Sequence, residues 1–329
     1  MKGVKHLDTL GQDMDKNTLI DELKGIPVPG LGGAVFGGTH WGNQDDRDSL
    51  SSLLTAIDSG VRHIDTAAAY GAGRSETLIG NLIRRRPSVR DGLLLASKGG
   101  IKGSRKNFLK EIDNSRRRLG CELIDIYYIH WPMKGIDPRP SLEAMAEARE
   151  KNSIRYAGVS NFNPRQVQSA HAYISIDACQ FAYNLIWRKP ETGLIPICED
   201  LGIARITYAS LAQGFLTGHY HPESRFPDGD DRGKTAFFDK KNAQSMAEGL
   251  EKLKLLCERY DTKLSVAALQ WIISRNYIES GLVGARTAAQ AKENFILPEA
   301  DPALLRKIDR VGKEISACFG DADTFFSFP

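Results

Sequence analysis

Short apolar runs alternate with stretches of helical periodicity along the chain, at roughly the 30-residue spacing of stacked strand–helix units. The apolar runs fall at 61–66, 93–98, 123–130, 154–160, 177–181, 203–209 and 278–284, with an earlier one near 31–36 between glycines. Most are continuously apolar rather than alternating, which predicts parallel strands covered on both faces. The helices between them are legible. Leu50, Leu53, Leu54 and Ile57 form one apolar stripe, and Leu78, Ile79, Leu82 and Ile83 form the next. Asn163, Pro164 and Gln166 read as an N-cap, a first-turn proline and a capping-box partner. Asp301-Pro302 opens a late helix with Leu304, Leu305, Ile308 and Val311 on one face. About eight such alternations predict an α/β protein with a closed (β/α)8 TIM barrel, a single domain over 1–329. The rival is an open doubly wound sheet, which would show a GxGxxG turn between strand and helix. The nearest candidate, Gly30-Leu31-Gly32-Gly33-Ala34-Val35, lacks the third glycine.

Composition narrows the class. Of 329 residues, 41% are hydrophobic and 26% charged, ordinary for a globular chain. A net charge of +3 gives no reason to expect nucleic acid or an anionic membrane as partner. Arg84, Arg85 and Arg86 close a predicted helix, where cations complement the C-terminal dipole. The five cysteines are scattered, with no CxxC pattern. They predict reduced thiols, a cytoplasmic setting and no metal site. No leader pattern and no run long enough to span a membrane is expected from the sequence.

In a barrel of this kind catalytic groups project from the C-terminal strand ends. The second strand ends in Asp65-Thr66, with Tyr70 just beyond. The third ends in Lys98, the fourth in His130. A tyrosine hydroxyl ionises near pH 10, and a neighbouring ammonium is expected to lower that value. A buried lysine needs a carboxylate to stay charged. Asp65, Lys98 and Tyr70 therefore read as a linked chain with Tyr70 as proton donor, and His130 as the group aligning a substrate oxygen. That set suits hydride transfer to a carbonyl, whose oxygen must be protonated.

These residues carry a resemblance. His63-Ile64-Asp65-Thr66-Ala67, Tyr70-Gly71, Gly73-Arg74-Ser75-Glu76, Tyr127-Tyr128-Ile129-His130-Trp131-Pro132, Gly158-Val159-Ser160-Asn161-Phe162 and Gly284-Ala285-Arg286 resemble the motifs of the aldo-keto reductase superfamily, over about Leu31 to Asn294. The resemblance implies a nicotinamide cofactor, NADP(H) with NAD(H) left open, bound without a Rossmann fold, and a small-molecule carbonyl substrate. Asp65, Tyr70, Lys98 and His130 match the catalytic tetrad. Ser160, Asn161 and Gln180 match the residues holding the nicotinamide carboxamide, and Tyr208 the aromatic stacking on its ring. Ser210, Leu211, Gln213 and Gly214 match the loop along the pyrophosphate. Arg286 and Thr287 match the 2′-phosphate clamp, and Gln290, Glu293 and Asn294 the adenine end.

Two departures bear on cofactor and substrate. Many relatives place Thr and an aromatic after the first strand, where this chain has Gly33 and Ala34. This predicts a wider pocket unless Trp41 fills it. Gln290 stands where a second basic residue is often found near the phosphate, which keeps NAD(H) open. Residues 225–238, rich in Asp and Gly, read either as a segment folding over the cofactor or as a plain surface loop. The functional alternative within the superfamily is a slow-turnover, redox-sensing regulatory subunit of a channel. Outside it, an aldolase or isomerase using Lys98 as a Schiff base is disfavoured by Arg286.

Overall fold

The computed structural model describes residues 18–26, 29–38, 42–320, 322 and 324–326. Eight parallel strands close into a barrel in sequence order. They are β1 Gly30–Gly32, β2 His63–Asp65, β3 Leu94–Gly99, β4 Ile124–Ile129, β5 Ile154–Ser160, β6 Ala178–Ala182, β7 Ala204–Tyr208 and β8 Ser280–Val283. The seam pairs Leu31 of β1 with Val283 of β8. The helices are α1 Leu19–Lys24, α2 Asp46–Asp58, α3 Arg74–Arg85, α4 Arg105–Leu119, α5 Arg139–Glu150, α6 Pro164–Ile174, α7 Leu194–Asp200, α8 Ala243–Arg259, α9 Leu264–Ile273, α10 Ala288–Phe295 and α11 Pro302–Ala317. This is the expected (β/α)8 TIM barrel. Among the described residues no helix is long and apolar enough to cross a membrane.

The apolar stripes pack as their spacing requires. Of the α2 stripe, Leu53 is buried and Leu50, Leu54 and Ile57 pack half-buried against the core, while Leu78, Ile79, Leu82 and Ile83 of α3 are all buried. Asn163 caps α6 in a full capping box with Gln166, and Asp301 caps α11 through Ala303 N and Leu304 N. Arg84 and Arg85 stand in the last turn of α3. All five cysteines are free thiols.

A second, smaller core fills the barrel interior, where Leu94, Ala96, Ile126, Tyr128, Ala204, Ile206 and Leu282 meet. Tyr128 reaches inward because Gly158 opposite has no side chain: a Cβ there would sit 2.6 Å from Cε1 of the ring. Helix α1 stoppers this core. Thr18 and Asp21 form its capping box, and Leu19 and Leu23, one turn apart, turn into the barrel. Glu22 holds α1 to β5, accepting from Tyr156 Oη at 2.9 Å and from Arg155 Nη1 at 3.1 Å.

One expected strand needs correction. The run at 31–36 leaves extended geometry after Gly32, and Gly33–Gly37 form a 3-10 turn. Ser75 Oγ donates to Gly33 O at 2.8 Å, and a Cβ on Gly33 would lie 2.8 Å from that hydroxyl. A Cβ on Gly37 would lie 2.7 Å from Gly71 N. The glycines thus let the exit of β1 press against the segment just after Tyr70, a packing role rather than a phosphate turn.

Candidate active site

At the C-terminal ends of the strands lies one elongated cavity of about 1460 Å³. Its inner end is built on β2, β3 and β4. Lys98, 1% exposed, is ion-paired with Asp65, 2% exposed. Lys98 Nζ also donates to Thr66 O at 2.9 Å and to Tyr70 Oη at 3.3 Å. Gln180 Nε2 on β6 donates to the other Asp65 oxygen at 2.8 Å. The Tyr70 and His130 rings meet edge to face at 5.7 Å. Asp65, Tyr70 and His130 line the cavity, while Lys98 lies behind them. The geometry thus brings all four candidate catalytic residues together.

The electrostatics correct one expectation. The Tyr70 hydroxyl ionises above its ordinary value, not below it. Burial raises it, and the pull of Lys98 offsets that only in part. For Lys98, burial works against the charge. The carboxylate of Asp65 and the neighbouring Tyr70 outweigh it and raise the ammonium above its usual value. Burial, with Lys98 nearby, pushes His130 down to about 3, so its imidazole is neutral at any working pH. The phenol therefore keeps its proton at neutral pH, beside an ammonium that favours the phenolate once the proton leaves.

The wall next to this end uses strained backbone. Asn161 has φ +64°, an orientation few side chains adopt. There its Nδ2 donates to His130 O and to Ser160 Oγ, both at 3.0 Å, and its Oδ1 accepts from Tyr208 Oη at 2.6 Å. Left-handed residues recur beyond β7 at Ala209, Ala212, Gln213 and Gly214 (φ +59°, +48°, +58° and +93°). They curl Ser210, Leu211, Gln213 and Gly214 along the cavity. Ser210 Oγ anchors that curl on Leu282 O at 2.8 Å.

The outer end sits on β8 and α10. Arg286, Gln290, Glu293 and Asn294 line it, and Thr287 does not. The Thr287 hydroxyl instead caps α10, accepting from Gln290 N at 3.3 Å. Gln290 Oε1 accepts from Arg286 N at 2.8 Å, and Asn294 Nδ2 donates to Gly284 O at 3.1 Å. Glu293 is ion-paired with Lys263 at 2.5 Å and accepts from Ser265 Oγ at 3.0 Å. A cleft with paired amides at one end, an open curl of main chain in its middle and a guanidinium at the other fits a dinucleotide in extended form.

Sequence reasoning missed several wall residues. Phe326 packs on Trp131 with ring centroids 6.1 Å apart, and both line the cavity. Phe325 is held by a hydrogen bond from Ala236 N at 2.7 Å. The signal was two adjacent aromatics in a polar tail. Ala34 and Val35 line the cavity near β1, and Trp41 lies outside the described residues. The 225–238 stretch walls the cavity through Asp231 and Arg232. Arg232 Nε bonds Asp230 at 2.9 Å, and its guanidinium stacks over Tyr220 at 4.8 Å and Phe226 at 5.0 Å. Gln44, which bonds Arg286, gave no signal.

Comparison with known proteins supports the same picture. The model of the Aldo/keto reductase family matches residues 30–303. The aldo-keto reductase YhdN of Bacillus subtilis (strain 168) is 33% identical over 271 residues, covering 79% of this chain and 82% of that one. An NADH-specific methylglyoxal reductase of Escherichia coli (strain K12) is 30% identical over 305 residues, covering 84% and 92%. The structure of a glycerol dehydrogenase from Gluconobacter oxydans superimposes with a TM-score of 0.76 at 26% identity, covering 87% and 92%.

Proposed function

The chain belongs to the aldo/keto reductase family, an NAD(P)H-dependent oxidoreductase family, and from that premise we propose that it reduces an aldehyde, ketone or sugar-like carbonyl with NADP(H), Tyr70 giving the proton. The observation that carries this reading is the chain Asp65–Lys98–Tyr70, with Lys98 Nζ 3.3 Å from the Tyr70 hydroxyl and held by a buried carboxylate.

When bound, the nicotinamide supplies the hydride that adds to the carbonyl carbon. Ser160, Asn161 and Gln180 would hold its carboxamide, and Tyr208 would offer an aromatic face to its ring. Ser210, Leu211, Gln213 and Gly214 would line the pyrophosphate, and Arg286 would pair its guanidinium with the 2′-phosphate. Thr287 would serve this end indirectly, as the cap that starts α10, and Gln290, Glu293 and Asn294 would face the adenosine. His130, neutral, hydrogen-bonds the substrate oxygen and keeps it in line with Tyr70. As negative charge develops on that oxygen, the Tyr70 proton moves to it, and Lys98 stabilises the phenolate left behind. Trp131 and Phe326 form an aromatic wall for the substrate. Free thiols at five positions suit the reducing cytoplasm.

The test is NADPH and NADH oxidation by the purified protein over a panel of aldehydes, ketones, quinones and sugars, with Tyr70→Phe alongside. Loss of a general acid predicts a drop in kcat of about 10² to 10⁴ with cofactor binding retained. Near-full activity in Tyr70→Phe would overturn the mechanism. Tight cofactor binding with no turnover on any substrate would favour the redox-sensing alternative.

A further inference from the structure

Gln44 stands just before α2, on the stretch that leads out of β1, and is 9% exposed. It grips Arg286, 242 positions away, at two points. Its Nε2 donates to Arg286 O at 2.8 Å, and its Oε1 accepts from Arg286 Nε at 2.9 Å. The main-chain carbonyl of the neighbouring Asn43 accepts from Arg286 Nη2. Gln44 is itself fixed, because Arg74 Nη2 donates to Gln44 O and pairs with Asp46, both at 2.7 Å.

Glutamine is suited to this grip because its side chain carries both donors and an acceptor. It locks the main chain and the guanidinium of Arg286 together. These acceptors are carbonyl oxygens, so they orient the cation without themselves bringing a negative charge. A free arginine side chain has among the largest rotamer entropies, and an anion that had to immobilise it would bind more weakly. Arg286 held in place beforehand escapes that loss. We propose that Gln44 is the positioning residue for Arg286 and thereby sets how strongly the 2′-phosphorylated cofactor is preferred over its unphosphorylated counterpart. The inference rests on the reading of Arg286 as the phosphate clamp.

The experiment is a calorimetric titration of the purified protein with NADP+ and NAD+, and with adenosine 2′,5′-bisphosphate and 5′-AMP as probes lacking the nicotinamide. It is run on Gln44→Met, which keeps length and loses both hydrogen bonds, on Arg286→Ala, and on the double variant. Gln44→Met is expected to weaken NADP+ and the bisphosphate about tenfold, and NAD+ and AMP less than about twofold. In turnover the loss falls on KM for NADPH. Using the ratio of the two affinities removes any general loss of folded protein. In the double variant, adding Gln44→Met to Arg286→Ala should cost less than about a further twofold, since Gln44 acts through Arg286. Equal weakening of both cofactors by Gln44→Met, no weakening, or full additivity in the double variant overturns the inference. Should Arg286→Ala itself weaken both cofactors alike, the clamp reading falls, and this inference with it. Selective loss in Arg286→Ala without it in Gln44→Met defeats the inference alone.

Discussion

The two ends of the cavity hold their charges in different ways. At the inner end Lys98 and Asp65 are sealed together, 1% and 2% exposed, with Gln180 and Thr66 O completing their bonds. At the outer end Arg286 is half-buried and oriented by the amide of Gln44 and the carbonyl of Asn43. The first arrangement is dry and fixed, and on the proposed reading it makes fold and catalysis interdependent. The second orients a half-buried guanidinium through neutral carbonyl oxygens, and on the proposed reading damage there falls on binding. Buried ion pairs punish the loss of one member heavily, whereas exposed charge is screened by water and salt.

The largest effect that separates the ends is expected from Lys98→Met. Asp65 would remain as an uncompensated buried charge, and chemical denaturation should show a loss of about 3–5 kcal/mol, together with loss of turnover. A variant as stable as the parent would mean that Asp65 is not confined as the geometry indicates. Next is the acid side of the stability curve. His63 is fully buried, with Nδ1 2.8 Å from Ser280 Oγ, and burial lowers its pKa to about 4 from the ordinary 6.5. Below pH 6.5 the unfolded chain takes up a proton that the folded one refuses. Stability from this group is therefore complete above that pH and is lost as pH falls through about 4. Urea unfolding at pH 7 and pH 4 should differ by on the order of 3 kcal/mol from this residue, and His63→Gln should remove that share of the difference. An unchanged pH slope in the variant would remove His63 from the account. The smallest effect belongs to the outer end. Thr287→Ala removes the α10 cap and should cost about 1 kcal/mol, a drop in Tm of roughly 2–4 °C. A larger loss would show that the outer end is as deeply built into the fold as the inner one.

The barrel was legible because parallel strands must be apolar on both faces, and the 154–160 run matches β5 residue for residue. The meeting of Asp65, Tyr70, Lys98 and His130 was legible because strand ends in such a barrel converge. Other features depended on what a linear pattern does not carry. The sign of the Tyr70 shift follows from burial, which outweighs the Lys98 that the sequence placed nearby. The turn at Gly33–Gly37 follows from close packing against Ser75 and Gly71. Helix α1 is too short to give a periodic stripe, although Thr18 and Asp21 offered a cap and Leu19 and Leu23 a one-turn pair. Gln44 and Arg286 meet across 242 positions, and an ordinary glutamine in a loop gives no hint of that.

That long-range meeting has a kinetic side. Gln44 follows the first strand and Arg286 the last, so their grip spans the seam where β1 and β8 pair. Ser52 Oγ crosses the same seam to Ala285 O at 2.8 Å. Contacts of such sequence separation come at the greatest loop-closure cost and form late on average during folding. The four candidate catalytic residues, drawn from β2 to β4 and the segments that follow them, come from a far more local stretch of chain. The join between first and last strands is therefore closed only once the whole intervening chain is in place. A molecule seated across that join would act as a clasp, slowing amide exchange in β1 and β8 in proportion to its occupancy while leaving the opposite side of the ring unchanged.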